Sequence, residues 1–590
     1  MSEDVVITNG DCTPEELKRF SNDHISSVPK KQLSTTGQLL KNSPCCDNFD
    51  SHVTELVLDY NLRLSLPLYL SQCLELKRLS CRSNGLTSLD GTCFEGLSKL
   101  QSLNLAENRI SELCPSIVRL WTGLRELDLS ENQLRTLPVQ LTHLTRLSYL
   151  SVNDNELTEL PSNFGELEAL TELDLSQNHL SQLPANCFGH LKHLTVLRLS
   201  YNELTCLPND ITQLPCLQEL DLTGNLLTKL ANCKKFAARK HLKRLYLDFN
   251  LLERLPQWLR VCTMLEELSA AGNAISSLVF PCNSDPGSAP KLKHLDLSGN
   301  QISDLPDKLC ELSLLEFLYL GSSKSVGREE TFAETPTSCN LIKQLPERIG
   351  QLKNLRELYL DDNLLCHLPE SIGDLCCLER LDLSRNQLSC LPDSFSNLSK
   401  LQFCSLSFNA LTCLPARFNE LTNLKTVLLD RNKLKSLPND LCNAKALMEL
   451  DIYDNEVGDL PISMLKRLSK LSRFDTGMNP IDWNKIFDFL LSEMCSQMVS
   501  AISSCGSKFF VESPDHTDKV VNADWSALSM QKTLTGGKFI SFAFNSQICV
   551  KSLLPADRLS FDPCLPQDDP RMASLAYIPA VASYGGAPIA

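Results

Sequence analysis

The sequence predicts an α/β solenoid: a horseshoe of about 18 stacked turns with one parallel sheet along its concave side. Three observations carry this. Asparagine recurs from Asn61, Asn84, Asn108 and Asn132 to Asn455 and Asn479, mostly 23 or 24 residues apart. Each Asn closes a Leu-x-x-Leu-x-Leu phrase, such as Leu355, Leu358, Leu360 and Asn363. Many turns then return through Leu-Pro followed by Ile, Phe or Leu, as at Leu368, Pro369 and Ile372.

Apolar residues three and then two apart do not fit one helix face. They fit a short strand whose inward side chains alternate, followed by a tight turn. The Asn has a separate task. Every solenoid turn leaves backbone N–H and C=O groups pointing along the stack, and a buried amide can bond its own turn and the next. Proline fixes φ and lacks an N–H, which suits a chain entering a short helical turn on the convex side. Pro138, Pro208, Pro256, Pro306, Pro369 and Pro392 are among those that mark this entry.

Taken in order, residues 1–51 are mixed polar and read as a flexible N-terminal segment, and 52–481 as the solenoid. Asp482 is placed to cap a helix over 482–503 with Ile486, Leu490, Met494, Met498 and Ile502 on one stripe, covering the last turn. Residues 504–590 mix short apolar runs with Ser, Gly and Pro and read as a poorly ordered tail. Three departures break the period. Repeat eight returns through Leu230-Ala231-Asn232 beside Lys229, Lys234, Lys235, Arg239, Lys240 and Lys243, read as a solvated convex face. Residues Pro281 to Pro290 are expected to form a bulging loop, since they fall in a 27-residue interval. Asn300 and Asn340 are 40 apart, and removing the 17 residues Ser323 to Cys339 restores the regular 23.

A formal net charge of −15 and a pI near 5.3 argue against a nucleic-acid partner. No run of about 18 apolar residues predicts a membrane span. The acidic, polar start from Met1 to Asp11 lacks the pattern of a signal peptide. The 26 cysteines are scattered through the repeats, with Cys81 and Cys404 in slots normally held by Leu, so they read as reduced thiols in a cytoplasmic protein. Cys390 and Cys413 occupy equivalent positions of adjacent turns. There is no zinc spacing, and no metal or cofactor is expected. Gly536-Gly537-Lys538 lacks the rest of a phosphate loop, and no catalytic motif is found. Asp128, Asp174 and Asp221 are repeat-pattern residues rather than acid–base candidates. The chain is read as not an enzyme.

These phrases are the leucine-rich repeat signature. The segment LPESIGDLCCLERLDLSRNQL, Leu368 to Leu388, resembles the repeats of intracellular leucine-rich repeat scaffolds that act around Ras-type GTPases, and is similar to repeats of Scribble and Erbin. The resemblance implies a non-catalytic adaptor for signalling proteins, such as a small GTPase or a phosphatase. The alternative is an extracellular or membrane-associated recognition and adhesion module.

Strand residues flanking the buried leucines face the concave side. From repeat twelve onward they turn aromatic or aliphatic: Phe317, Tyr319, Tyr359, Phe403, Phe408, Leu428 and Tyr453, interleaved with Glu357, Asp361, Arg380, Asp430 and Arg431. That is the composition of a protein-binding surface. A smaller group lies at Tyr201, Arg244, Tyr246 and Phe249. In the tail, Lys538, Ile540 and Phe542 have the spacing of a docking motif for protein phosphatase 1, in which an extended segment adds to a sheet edge.

Overall fold

The computed structural model describes residues 53–482 except 62–65, 67, 231–235, 281–289, 323–338, 439–440, 442, 461–467 and 469. It also describes the backbone of four outlying strands: β1 (Val5–Val6), β20 (Met530–Thr535), β21 (Gly537–Phe544) and β22 (Ile548–Leu553). Between them, eighteen three-residue strands run from β2 (Glu55–Val57) to β19 (Arg473–Asp475), each parallel to its neighbours in one open sheet. Register follows the repeat length. Glu357, Leu358 and Tyr359 of β14 (Glu357–Tyr359) face Arg380, Leu381 and Asp382 of β15 (Arg380–Asp382).

The central residue of each strand points inward, and the leucine two positions later does the same. Leu358, Leu360, Leu381 and Leu383 are fully buried, as are Ile372 and Leu378 on the return path. Cys404 takes the leucine slot of its strand and is equally buried. The return path is a single 3-10 turn in most repeats. At Pro369 the ring sets φ to −70° and ψ is 152°, so the proline stands just outside Glu370–Asp374. Its carbonyl then accepts from Ile372 N at 3.0 Å and opens the turn.

The asparagines bind this stack together. Asn178 Nδ2 donates to Leu175 O (3.1 Å) and Ser176 O (3.1 Å) in its own turn and to Val152 O (3.0 Å) in the turn before. Its Oδ1 accepts from Leu157 N, also in the turn before, at 3.0 Å. The same set recurs at Asn202, Asn273 and Asn386. The amide therefore reaches back to the preceding repeat, the reverse of the direction expected from sequence. A second regularity was not expected. The residue before the ladder Asn has a positive φ in every repeat except the one that carries the insertion, from Tyr60 (60°) to Met478 (60°).

The insertion lies where the spacing put it. Leu318 of β13 (Phe317–Tyr319) pairs with Leu358 in register despite the 40-residue offset. Asn340 rejoins the ladder, donating to Leu297 O (3.0 Å) and Leu320 O (2.9 Å) and accepting from Ile302 N (3.0 Å). The segment thus leaves the sheet between Ser322 and Asn340. Arg239 and Lys240 of repeat eight are exposed on the convex 3-10 turn Ala237–Lys240, while Lys234, Lys235 and the 281–289 loop lie outside the described residues. So does the expected helix beyond Asp482. The backbone edge of β19 is closed by β22, which pairs with it in parallel, and β21 and β20 follow antiparallel.

Two stability experiments follow from this ladder. Asn178→Ala leaves the buried Leu157 N–H without its acceptor and takes one of two donors from Val152 O, Leu175 O and Ser176 O, so it is expected to cost about 1–3 kcal/mol in urea unfolding. Deleting Ser323 to Cys339 joins Ser322 directly to Asn340. Ser322 must then take the left-handed conformation used in the other repeats, at a cost of about 1 kcal/mol. The deletion combined with Ser322→Gly is expected to relieve that strain while losing the Ser322 Oγ bond to Asp361, and so to lie within about 1 kcal/mol of wild type. A much larger loss in both would mean that the segment packs into the core.

Candidate protein-binding surface on the concave sheet

Two columns of strand side chains and the left-handed residue of each turn make up the concave face. In repeats eleven to fifteen they are chained from Phe317 to Phe403, and a second group gathers around Phe408. His294 of β12 (His294–Asp296), which sequence reasoning left out, packs edge-on against Phe317 (centroids 5.8 Å) and Tyr319 (5.2 Å). Tyr319 meets Tyr359 edge-on at 5.1 Å, and its hydroxyl donates to Glu357 Oε2 at 2.9 Å. Arg380 Nε donates to the Tyr359 hydroxyl at 3.0 Å, and the guanidinium lies 4.7 Å over the Phe403 ring. Farther toward the rim, Phe408 is flanked by Arg385 (4.4 Å) and Arg431 (4.5 Å). Arg385 was also missed, because only the left-handed position aims it at Phe408.

The strip is graded in exposure. Phe317, Tyr359, Phe403, Phe408, Leu428 and Tyr453 are half-buried, and Arg380 and Arg431 are exposed. Leu428 stands between Ser405 and Asp451 in the sheet, and the Tyr453 ring lies over Gly477, where a Cβ would come within 2.8 Å of it. Asp430 accepts from the Ser407 hydroxyl. Two expected contact residues are instead internal. Tyr319 is covered by its ring neighbours, and Asp361 is 5% exposed.

Asp361 is an anchor. Its Oδ2 accepts from Ser322 N (3.1 Å) and Ser322 Oγ (2.8 Å), so it holds the last residue before the insertion. A Cβ on Gly321 would fall 1.8 Å from Asp361 Oδ1, so only glycine fits there. Burial pushes the carboxyl of Asp361 up to about 6, opposed by the Ser322 hydrogen bonds. Burial also raises Asp451, to about 6, with Asp475 and Asp430 adding to it, and raises Asp382. The C-terminal part of the face thus holds three carboxyl groups, Asp361, Asp382 and Asp451, that burial raises above the ordinary range.

The residue at the positive-φ position varies from repeat to repeat. The chain places Gly there in repeats eight, ten and eleven (Gly224, Gly272, Gly299), which relieves the backbone. It places Tyr201, Phe249, Arg385, Phe408 and Arg431 there in others. A bulky residue in that region is strained by about 1–2 kcal/mol, a cost the turn imposes in each of these repeats.

Lys538, Ile540 and Phe542 all lie on β21, with Ile540 opposite Lys532 on one side and Ser552 on the other. Both edges of that segment are paired, so docking by strand addition requires its release. Among the described residues no group of three or more His, Cys, Asp or Glu is placed to hold a metal ion. No helix among them is long and apolar enough to cross a membrane.

Comparison with known proteins agrees with the geometry. Leucine-rich repeat profiles match residues 74–116, 99–157 and 168–227, and a further one matches 288–305. A leucine-rich repeat region profile matches 337–476. The structure of a leucine-rich repeat protein of Leptospira interrogans superposes with a TM-score of 0.59 and 30% identity, over 70% of this chain and 99% of that one. The chain belongs to the leucine-rich repeat family. The leucine-rich repeat ectodomain of the plant membrane receptor kinase GASSHO1/SCHENGEN3 from Arabidopsis thaliana superposes at 0.54 with 25% identity, over 73% of this chain and 54% of that one. Among curated proteins, this leucine-rich repeat chain is 37% identical over 120 residues to the rat leucine-rich repeat-containing G-protein coupled receptor 5, covering 19% of this chain and 13% of the receptor. It is 33% identical over 150 residues to the adenylate cyclase of Schizosaccharomyces pombe, covering 25% of this chain and 9% of the cyclase. The chain spans only these small fractions of both relatives. Leucine-rich repeats are a protein-interaction fold, so protein partners are implied.

The raised carboxyl of Asp361 gives a pH-dependent expectation. Its folded value, about 6, lies above the ordinary 3.8, so its stabilising neutral form is complete below the unfolded value and lost as pH rises through 6. Asp361→Asn is neutral at every pH. The variant is expected to be more stable than wild type at pH 7 by on the order of 2 kcal/mol, an advantage that fades toward pH 4 in urea titrations.

Proposed function

We propose that this protein is a non-catalytic scaffold whose concave face, over repeats twelve to seventeen, grips one globular protein partner. The observation that carries the reading is the strip running from Phe317 through Tyr359 and Arg380 to Phe403, together with the group of Arg385, Phe408 and Arg431. Aromatic rings and guanidinium groups held by each other need little further ordering on binding, and they are the residue types that dominate interface energetics. The half-raised carboxylates Asp382 and Asp451 add a charge that a basic partner group would stabilise.

We read the working compartment as the reducing cytoplasm. Among the described residues, Cys81, Cys93, Cys187, Cys310 and Cys404 are buried as small apolar side chains in no disulfide. The exposed Cys390 and Cys413 are also unpaired. A small GTPase is the partner class supported by the family resemblance. The Lys538–Phe542 segment is a second, separable contact for a phosphatase, dependent on its leaving the β20–β22 arrangement.

Three substitutions test the concave site. Phe408→Gly exchanges two cation–π contacts for relief of backbone strain, so its stability is expected to stay within about 1 kcal/mol of wild type. Affinity for partners captured from lysate on the full chain is expected to fall at least about tenfold in Phe408→Gly and in the double variant Tyr359→Ala with Phe403→Ala. Unchanged capture by folded variants would place the site elsewhere. Ile540→Ala with Phe542→Ala separates the phosphatase contact, since that pair is expected to leave concave-face binding intact.

A further inference from the structure

Repeats seven to nine hold a second feature that the strip does not use. An open cavity of about 310 Å³ is lined by Tyr201, Asp221, Thr223, Tyr246, Asp248 and Phe249. Its existence depends on two glycines. The Tyr201 ring leans over Gly224, where a Cβ would lie 2.6 Å from Cδ1, and the Phe249 ring leans over Gly272 in the same way, again at 2.6 Å. Tyr201 and Phe249 both occupy the strained left-handed position, with φ of 54° and 52°, and Gly224 (67°) stands between them. Alternating ring and glycine in successive turns opens a space one repeat wide between two aromatic walls, with Tyr246 rising from the strand β10 (Arg244–Tyr246) as a third.

The polar groups of this space are acidic. Asp221 Oδ1 accepts from Thr223 N at 3.0 Å, while its Oδ2 accepts no hydrogen bond among the described residues. Asp248 is buried, with Oδ1 accepting from Ser269 Oγ (2.5 Å) and Ala271 N (2.7 Å). The local cations are committed elsewhere. Arg198 pairs with Glu172 (2.8 Å) and Glu219 (2.9 Å), and Arg244 pairs with Glu219 (2.5 Å). The Tyr246 hydroxyl donates to Glu267 Oε2 at 2.5 Å, which fixes the ring and adds electron density to it.

We infer that this cage binds a cationic side chain, a lysine or an arginine, presented by a protein partner. Three aromatic side chains and two carboxylates lining one small cavity are complementary in composition to an ammonium or guanidinium group. A neutral apolar group would leave Asp221 and Asp248 partly desolvated without compensation, which selects against it. A partner's side chain is the source because the cavity opens on the sheet face where a leucine-rich repeat chain meets proteins. The site is distinct from the strip of repeats twelve to seventeen, so its test does not depend on that reading.

The experiment uses the full chain and three small probes of matched shape: n-butylammonium, n-butylguanidinium and neutral 1-pentanol, titrated by ligand-observed NMR. The cations are expected to bind in the millimolar range, at least about tenfold more tightly than the alcohol. Tyr201→Leu keeps apolar bulk but removes the π-face, and Asp221→Asn removes the charge. Each is expected to weaken cation binding at least about fivefold, whereas Tyr359→Ala in the other strip leaves it unchanged. The ammonium and guanidinium arms identify lysine or arginine as the preferred guest. Equal binding of cation and alcohol overturns the inference, as does full cation affinity in Asp221→Asn. Asp221→Asn is nearly isosteric and keeps the Thr223 bond, so it decides the matter even where Tyr201→Leu fails to fold.

Discussion

The buried asparagine is the constraint on which the rest depends. A three-residue strand saturates few of its own hydrogen bonds, and stacking leaves carbonyls at the strand exit with no partner in their own turn. One side-chain amide such as Asn178 closes two of these in its own repeat and ties one carbonyl and one N–H of the repeat before. Because the bonds point backward, each repeat completes its predecessor. Stability then propagates by neighbour contacts, as in a one-dimensional array.

A local shape accompanies that closure. In every repeat but the one with the insertion, the residue before the Asn lies in the left-handed region at the rim of the concave face. Glycine is the least strained choice, and Gly224, Gly272 and Gly299 take it. Where Phe408, Arg385, Arg431, Tyr201 or Phe249 stands instead, the chain accepts backbone strain to place a ring or a cation there. The turn that holds the stack together is therefore also the one that sets these rings and cations on the rim.

The two aromatic regions of the concave face are built in opposite electrostatic senses. Repeats seven to nine spend their arginines on Glu172 and Glu219 and leave acid behind aromatic walls. In repeats fourteen to sixteen the arginines rest on the Phe403 and Phe408 rings instead, and the rings gain a cationic rim. Asp361 links the second region to the insertion through Ser322, with a carboxyl that burial holds near 6. A partner touching that loop and one touching the strip would meet through the same buried pair.

By itself the sequence determined the solenoid, the parallel register and the position of the 323–339 insertion, because those rest on buried residues whose spacing is fixed. Leu358 must follow Leu355 by three and precede Leu360 by two wherever a strand has one buried side. It also located most of the strip, since alternation across a strand assigns Phe317, Tyr359 and Phe403 to the open face. Tertiary structure decided what alternation cannot express. Asp361 lies in the same run of residues as Tyr359 yet is buried, because the next-door turn has a glycine that leaves room for its carboxylate. His294 and Arg385 joined the strip through contacts between repeats, which no single repeat displays. The cage of Tyr201, Tyr246 and Phe249 exists only because Gly224 and Gly272 stand one turn away, a relation that stacking creates and linear order conceals.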